Sequence, residues 1–172
     1  MKKKQILIVE DERIEAEDIK MSLQKLGYAV SGTAFSGMGA ITKAEKLHPD
    51  LVLMDIVLGG KMDGIEAASI INSRLDIPVI YLTAYADKKM LERAKVTEPF
   101  GYIIKPYEDR ELLSIIEIAL YKHKMEKTLR ASKASFHNIV EKSVDGIIIV
   151  DRDGIVRFVN RTAKLLLGRE TN

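Results

Sequence analysis

The stretch LVLMDIVLGGKMDG, residues 51–64, decides how the rest of the chain is read. Leu51 to Met54 is apolar at every position, without the in–out alternation of a half-exposed antiparallel strand, so it fits a strand buried on both faces of a parallel sheet. That strand ends on a carboxylate, Asp55. A Gly59–Gly60 loop follows, and a helix runs from about Gly64 to Arg74. Buried strand, polar end, loop and helix together form one half of a β-α-β unit.

The same unit repeats in both directions. Towards the N-terminus, Gln5–Val9 is a short apolar run, and Ile19, Leu23 and Leu26 form one helical stripe between Ile14 and the stop at Gly27. Tyr28–Gly32 is a weak second strand, and Met38, Ile41, Ala44 and Leu47 mark a helix that ends before Pro49. Towards the C-terminus, Pro78 precedes a strand at Val79–Leu82, a helix spans roughly Asp87–Ala94, and Gly101–Ile104 is a strand ending at Lys105–Pro106. Another helix starts near Glu108. Five strands alternating with helices predict an α/β fold, a doubly wound five-stranded parallel sheet with helices on both faces. The hydrophobic pattern leaves the strand order open.

Composition removes several classes of function. The 172 residues contain no cysteine, so disulfides, thiol nucleophiles and thiolate metal sites are excluded. The basic tip MKKK meets acidic residues within ten positions, unlike a secretory signal, and no run of eighteen apolar residues follows. A cytoplasmic location is expected, with no membrane partner. Lys and Arg total 27 against 25 Asp and Glu, and residues 1–106 hold 15 of each sign. Nucleic-acid affinity draws on clustered phosphate contacts, and no basic cluster exists, so no nucleic-acid partner is expected.

In a parallel α/β sheet, ligands sit beyond the carboxyl ends of the strands. The first strand ends in Glu10, Asp11 and Glu12, the third in Asp55, the fourth in Thr83 and the fifth in Lys105. Close carboxylates repel one another and attract a hard divalent cation such as Mg²⁺, while an ammonium and a hydroxyl suit an incoming anion. The set fits phosphoryl chemistry, with Asp55 as candidate nucleophile. Helix capping by Asp11 and Asp55 is the structural alternative.

The segments ILIVEDE (6–12), LVLMDIVLGGKMDG (51–64), VIYLTAY (79–85) and GYIIKP (101–106) resemble, in order and spacing, the receiver domain of two-component response regulators over about residues 4–122. That resemblance implies a flavodoxin-like strand order 2-1-3-4-5 and Asp55 as phosphoacceptor. It implies Mg²⁺ held by Glu10, Asp11, Asp55 and the Val57 carbonyl, with glutamate at position 10 where two aspartates are commoner. It also makes Thr83 a contact to the phosphoryl group, Lys105 its partner from the opposite side, and Tyr102 the aromatic that fills space vacated by Thr83. Val57 and Tyr85 flank the path of attacking water and offer no group to orient it, so slow self-dephosphorylation is expected. The implied partner is a histidine kinase or phosphotransfer protein, and the output face comprises the fourth helix, fifth strand and fifth helix. Such a receiver catalyses its own phosphorylation and dephosphorylation but carries no kinase core.

Other readings of the acidic rim are an Asp-based, Mg²⁺-dependent phosphatase and a docking module with an inactive site. A phosphatase needs a positioned acid or base, and the three histidines, His48, His123 and His137, fall in a turn or on the connector. A module with an inactive site has little reason to keep Asp11, Asp55, Thr83 and Lys105 together.

The last helix outruns its domain. Its pattern continues through Tyr121, Met125, Leu129 and Phe136, which suits either pairing with a second copy, giving a homodimer through the output face and this helix, or a charged, solvent-exposed linker helix. Residues 136–168, FHNIVEKSVDGIIIVDRDGIVRFVNRTAKLLLG, resemble the first helix, hairpin and following helix of a PAS domain, about a third of that module. The expected division is a receiver at 1–122, a helical connector at 123–137 and a truncated PAS-like segment at 138–172, with the input portion of a larger hybrid sensor histidine kinase as the alternative whole.

Overall fold

The computed structural model describes residues 3–84, 88–95 and 97–168, with the backbone alone at 88–91. Strand β3 (Leu51–Asp55) is buried along its whole length and sits at the centre of the sheet. β1 (Gln5–Val9) pairs with it on one side and β4 (Val79–Thr83) on the other, both parallel, so that Leu53 faces Ile8 and Ile80. The edges are β2 (Ala29–Ala34) beside β1 and β5 (Gly101–Ile104) beside β4, completing the order β2-β1-β3-β4-β5. This is the α/β class and the strand order expected, and the missing alternation in β3 and β4 has the expected cause: both faces are covered.

Successive strand residues feed opposite layers. Leu7, Val9, Val52, Met54, Val79 and Tyr81 pack with α2 (Gly37–Leu47), α3 (Gly64–Leu75) and Ala94 of α4 (Lys88–Lys95). Ile6, Ile8, Leu53, Ile80, Leu82 and Ile103 pack instead with α1 (Arg13–Lys25) and the first turns of α5 (Asp109–Glu141). Each fully buried aliphatic side chain contributes about 1.5–3 kcal/mol relative to exposure, so the two layers together hold the rim rigid.

Local chemistry sets the helix ends. The Ser36 hydroxyl caps α2 by accepting the Gly39 N–H, and Asp63 with Glu66 forms a capping box at α3. Gly64 is required for a separate reason: a Cβ there would come within 1.9 Å of the Asp55 carbonyl oxygen. The chain after Asp55 thus turns tightly against its own strand end.

One strand differs from expectation, and the last helix has the length its pattern called for. β2 runs to Ala34 rather than stopping at Gly32, because pairing with β1 carries it on past a register shift between Ile6 and Leu7. Helix α5 is 33 residues long and continues through Glu141, so Phe136–Val140 belongs to the same helix as the connector. None of the described helices is long and apolar enough to cross a membrane.

The chain divides into two compact units, Met1–His123 and Lys124–Asn172. In the second, β6 (Ile148–Val150) and β7 (Val156–Val159) form an antiparallel hairpin followed by α6 (Arg161–Leu166). Its described buried side chains are Val140, Asn160 and Ala163. Asn160 organises it: Oδ1 accepts the N–H groups of Ile147 (2.8 Å) and Ala163 (2.9 Å), and Nδ2 donates to the carbonyls of Val140 and Asp145 (2.9 Å each).

Candidate functional site

Parallel strands of matched register bring their carboxyl ends to one rim, and three of the expected residues meet there around one ammonium. Asp55 is the last residue of β3 and is buried. Its Oδ1 accepts the Val57 N–H at 2.8 Å, and its Oδ2 accepts from Lys105 Nζ at 2.7 Å. Glu10 follows β1, held in line by its N–H donating to the Ala34 carbonyl, and is 1% exposed. Its Oε2 accepts from Lys105 at 2.6 Å. Lys105 follows β5, fixed by its own N–H donating to the Thr83 carbonyl at 2.8 Å, and precedes the cis peptide to Pro106.

A fourth group was not legible at the strand ends. Glu15, in the first turn of α1, accepts from the same Lys105 Nζ at 2.5 Å. The available signal was an acidic residue one turn into the helix that follows an acidic strand end. Ligand oxygens of Glu10, Glu15 and Asp55 all lie within 4.8 Å of one another.

The electrostatics follow from burial. Loss of solvent pushes the Glu10 carboxyl up to about 7; the Lys105 hydrogen bond opposes that rise, and the negative charge of Asp55 adds to it. Burial disfavours the Lys105 charge too, but hydrogen bonds to Asp55, Glu10 and Glu15 outweigh it and raise its pKa. Three carboxylates around one ammonium leave an excess of hard anionic oxygen. Glu10 and Asp55, the two buried carboxylates of that cluster, suit a hard divalent cation such as Mg²⁺, which prefers carboxylate and water oxygens.

The remaining candidates lie around this cluster. Thr83 is buried as the last residue of β4. Asp11 is exposed and outside the three-carboxylate group; its Oδ2 accepts the Gly59 N–H at 3.0 Å, joining the end of β1 to the β3–α3 loop. Val57 is 60% exposed beside Asp55. Tyr102, on β5, is half-buried with its ring 5.7 Å from that of Tyr81, and its buried hydroxyl has no hydrogen-bond partner among the described residues. Tyr85 lies outside the described residues.

Comparison with known proteins agrees with this geometry. Residues 6–117 match the response regulator receiver domain, and residues 134–172 match the PAS fold. The transcriptional regulatory protein PdtaR of Mycobacterium tuberculosis (strain CDC 1551 / Oshkosh) is 33% identical over 138 residues, 80% of this chain and 67% of PdtaR. The signal receiver domain of a modulated diguanylate cyclase from Desulfovibrio desulfuricans G20 is 38% identical with a TM-score of 0.70, covering 73% of this chain and 99% of that one. The receiver domain of the sensor histidine kinase PA1611 from Pseudomonas aeruginosa PAO1, solved with magnesium in its active-site cleft, is 30% identical with a TM-score of 0.63, over 69% and 98% of the two chains. The likeness to two-component regulators supports partnership with a histidine kinase. Strand order, acidic rim and sequence converge, and the chain belongs to the response regulator receiver domain family, whose members act in two-component phosphorelays.

Proposed function

We propose that Asp55 accepts a phosphoryl group from a histidine kinase phosphohistidine or a phosphotransfer protein, and that Glu10, Asp11 and the Val57 carbonyl hold Mg²⁺ with it. The observation that carries this reading is the 2.7 Å bond from Lys105 Nζ to a buried carboxylate at the end of the central strand. An Asp55 oxygen forms a P–O bond as the donor P–N bond breaks, and the departing imidazole takes a proton from solvent. Bound Mg²⁺ supplies charge neutralisation for the phosphoryl oxygens. Lys105 grips one of those oxygens, and the Thr83 hydroxyl donates to another.

Phosphorylation adds charge and acceptor oxygens at Asp55, drawing Thr83 inward and leaving room for Tyr102, whose buried hydroxyl has no hydrogen-bond partner among the described residues and so gives up none of those by moving. The output passes through α4, β5 and α5 towards the PAS segment, in a cytoplasmic protein that pairs with a second copy. Val57 gives attacking water no acid or amide to lean on, which favours a long-lived acyl phosphate.

The test is intact mass after incubation with Mg²⁺ and acetyl phosphate. Native protein gains one phosphoryl group and Asp55→Ala gains none. No gain in the native protein, or an equal gain in both, would overturn the assignment.

A further inference from the structure

Lys105 has three N–H donors and no acceptor, and all three are in use: Asp55 at 2.7 Å, Glu10 at 2.6 Å and Glu15 at 2.5 Å. A lysine in that state cannot take a phosphoryl oxygen until one carboxylate lets go. The three differ in what release costs. Side-chain exposure is 1% for Glu10, which would be left in a buried setting without its counter-charge, and Asp55, 11% exposed, keeps one oxygen as an acceptor for Lys105 after the other has formed the P–O bond. Glu15 is 43% exposed and, once released, is hydrated at once. It also projects from α1, whereas Asp55 ends strand β3 and Glu10, directly after β1, is held by its N–H to the Ala34 carbonyl.

We propose that Glu15 is a positioning residue for phosphoryl transfer: it holds the third N–H of Lys105 in the resting site and is the partner displaced when a phosphoryl oxygen takes its place. This deepens the reading of Asp55 as phosphoacceptor and rests on it. Glu15 competes with the phosphoryl group for one donor, so it stabilises the unphosphorylated state and sets the threshold for loading. Removing this partly exposed competitor favours the loaded state by about three- to tenfold.

The experiment is a titration of the full chain with beryllofluoride, a phosphoryl mimic, in the presence of Mg²⁺, followed by amide NMR shifts. The expected result is that Glu15→Gln binds the mimic about three- to tenfold more tightly than native protein, with its Mg²⁺ affinity undiminished and its unfolding midpoint close to native. Glu15→Asp keeps the charge but is one methylene too short to reach Lys105, so displacement predicts that it behaves like Glu15→Gln. Native-like behaviour in Glu15→Asp alone means bulk charge repulsion and overturns the proposal, as does unchanged or weaker mimic binding in Glu15→Gln. A loss of Mg²⁺ affinity in Glu15→Gln makes Glu15 a metal ligand and likewise overturns it. Failure of the underlying reading is seen separately, as native protein that does not bind the mimic or Asp55→Ala that binds it equally well.

Discussion

Glu10 is the residue on which burial acts most directly. Its carboxyl is pushed up to about 7 from 4.5, because solvent is lost at the end of β1 and Asp55 stands close by, with Lys105 only partly compensating. The sign of the consequence is fixed. A folded-state pKa above the unfolded one means that the folded state binds the proton more tightly, so this group's contribution to stability is complete below pH 4.5 and is lost as pH rises through about 7. Each pKa unit corresponds to about 1.4 kcal/mol, so the effect is on the order of 3–4 kcal/mol. In metal-free buffer the native protein should therefore lose more thermal stability between pH 4.5 and 7.5 than Glu10→Gln does, and added Mg²⁺ should narrow the gap. Parallel pH profiles for the two proteins would count against a strained, anion-rich rim. Glu10, Asp55 and Lys105 were legible in sequence because each ends a strand. Glu15 was not, because a position on a helix reveals its facing only once the helix is docked.

At the scale of elements, the short second unit depends on one side chain. Asn160 satisfies two N–H groups and two carbonyls from the end of α5, the turn before β6 and the start of α6, and it caps α6. Truncation to alanine removes the cap and leaves buried polar groups unpaired, at about 1–3 kcal/mol for each such group. A unit with so few buried side chains has little reserve against that loss. Asn160→Ala in the full chain should collapse the amide NMR dispersion of Ile148–Val159 while the signals of β1, β3 and β4 stay in place. A native-like hairpin spectrum would show that other contacts hold the unit. The sequence motif DRDG is a turn at sight, and Asp151 Oδ1 does accept the N–H groups of Asp153 and Ile155, but nothing in local pattern marks Asn160 as a hub. Its four partners run from Val140 to Ala163 along the chain and meet only after folding.

At the scale of the molecule, α5 exposes Met125, Leu129 and Phe136, at 41%, 55% and 60%, at spacings that suit a helix seam. A second copy covering that stripe would explain apolar side chains left in water over several turns. Sedimentation velocity across a concentration series should show a dimer, and Met125→Lys with Leu129→Lys should return it to monomer while leaving acetyl phosphate labelling of Asp55 intact. A native chain that stays monomeric at every concentration removes α5 as a pairing element.

The sequence by itself determined the class of fold and the chemistry available to it. Unbroken apolar runs at Leu51–Met54 and Val79–Leu82 can be satisfied only between two helical layers, and the polar residues that end such runs must gather where ligands bind. The tertiary structure decided the quantities that depend on distance. It carried the edge strand β2 on to Ala34 through pairing with β1, turned Asp11 towards the N–H of Gly59, and brought a helical Glu15 onto Lys105. The physical reason is range: hydrophobic periodicity is local along the chain, whereas the charge balance of the site is a sum over side chains as much as 95 residues apart that only packing brings within hydrogen-bond reach.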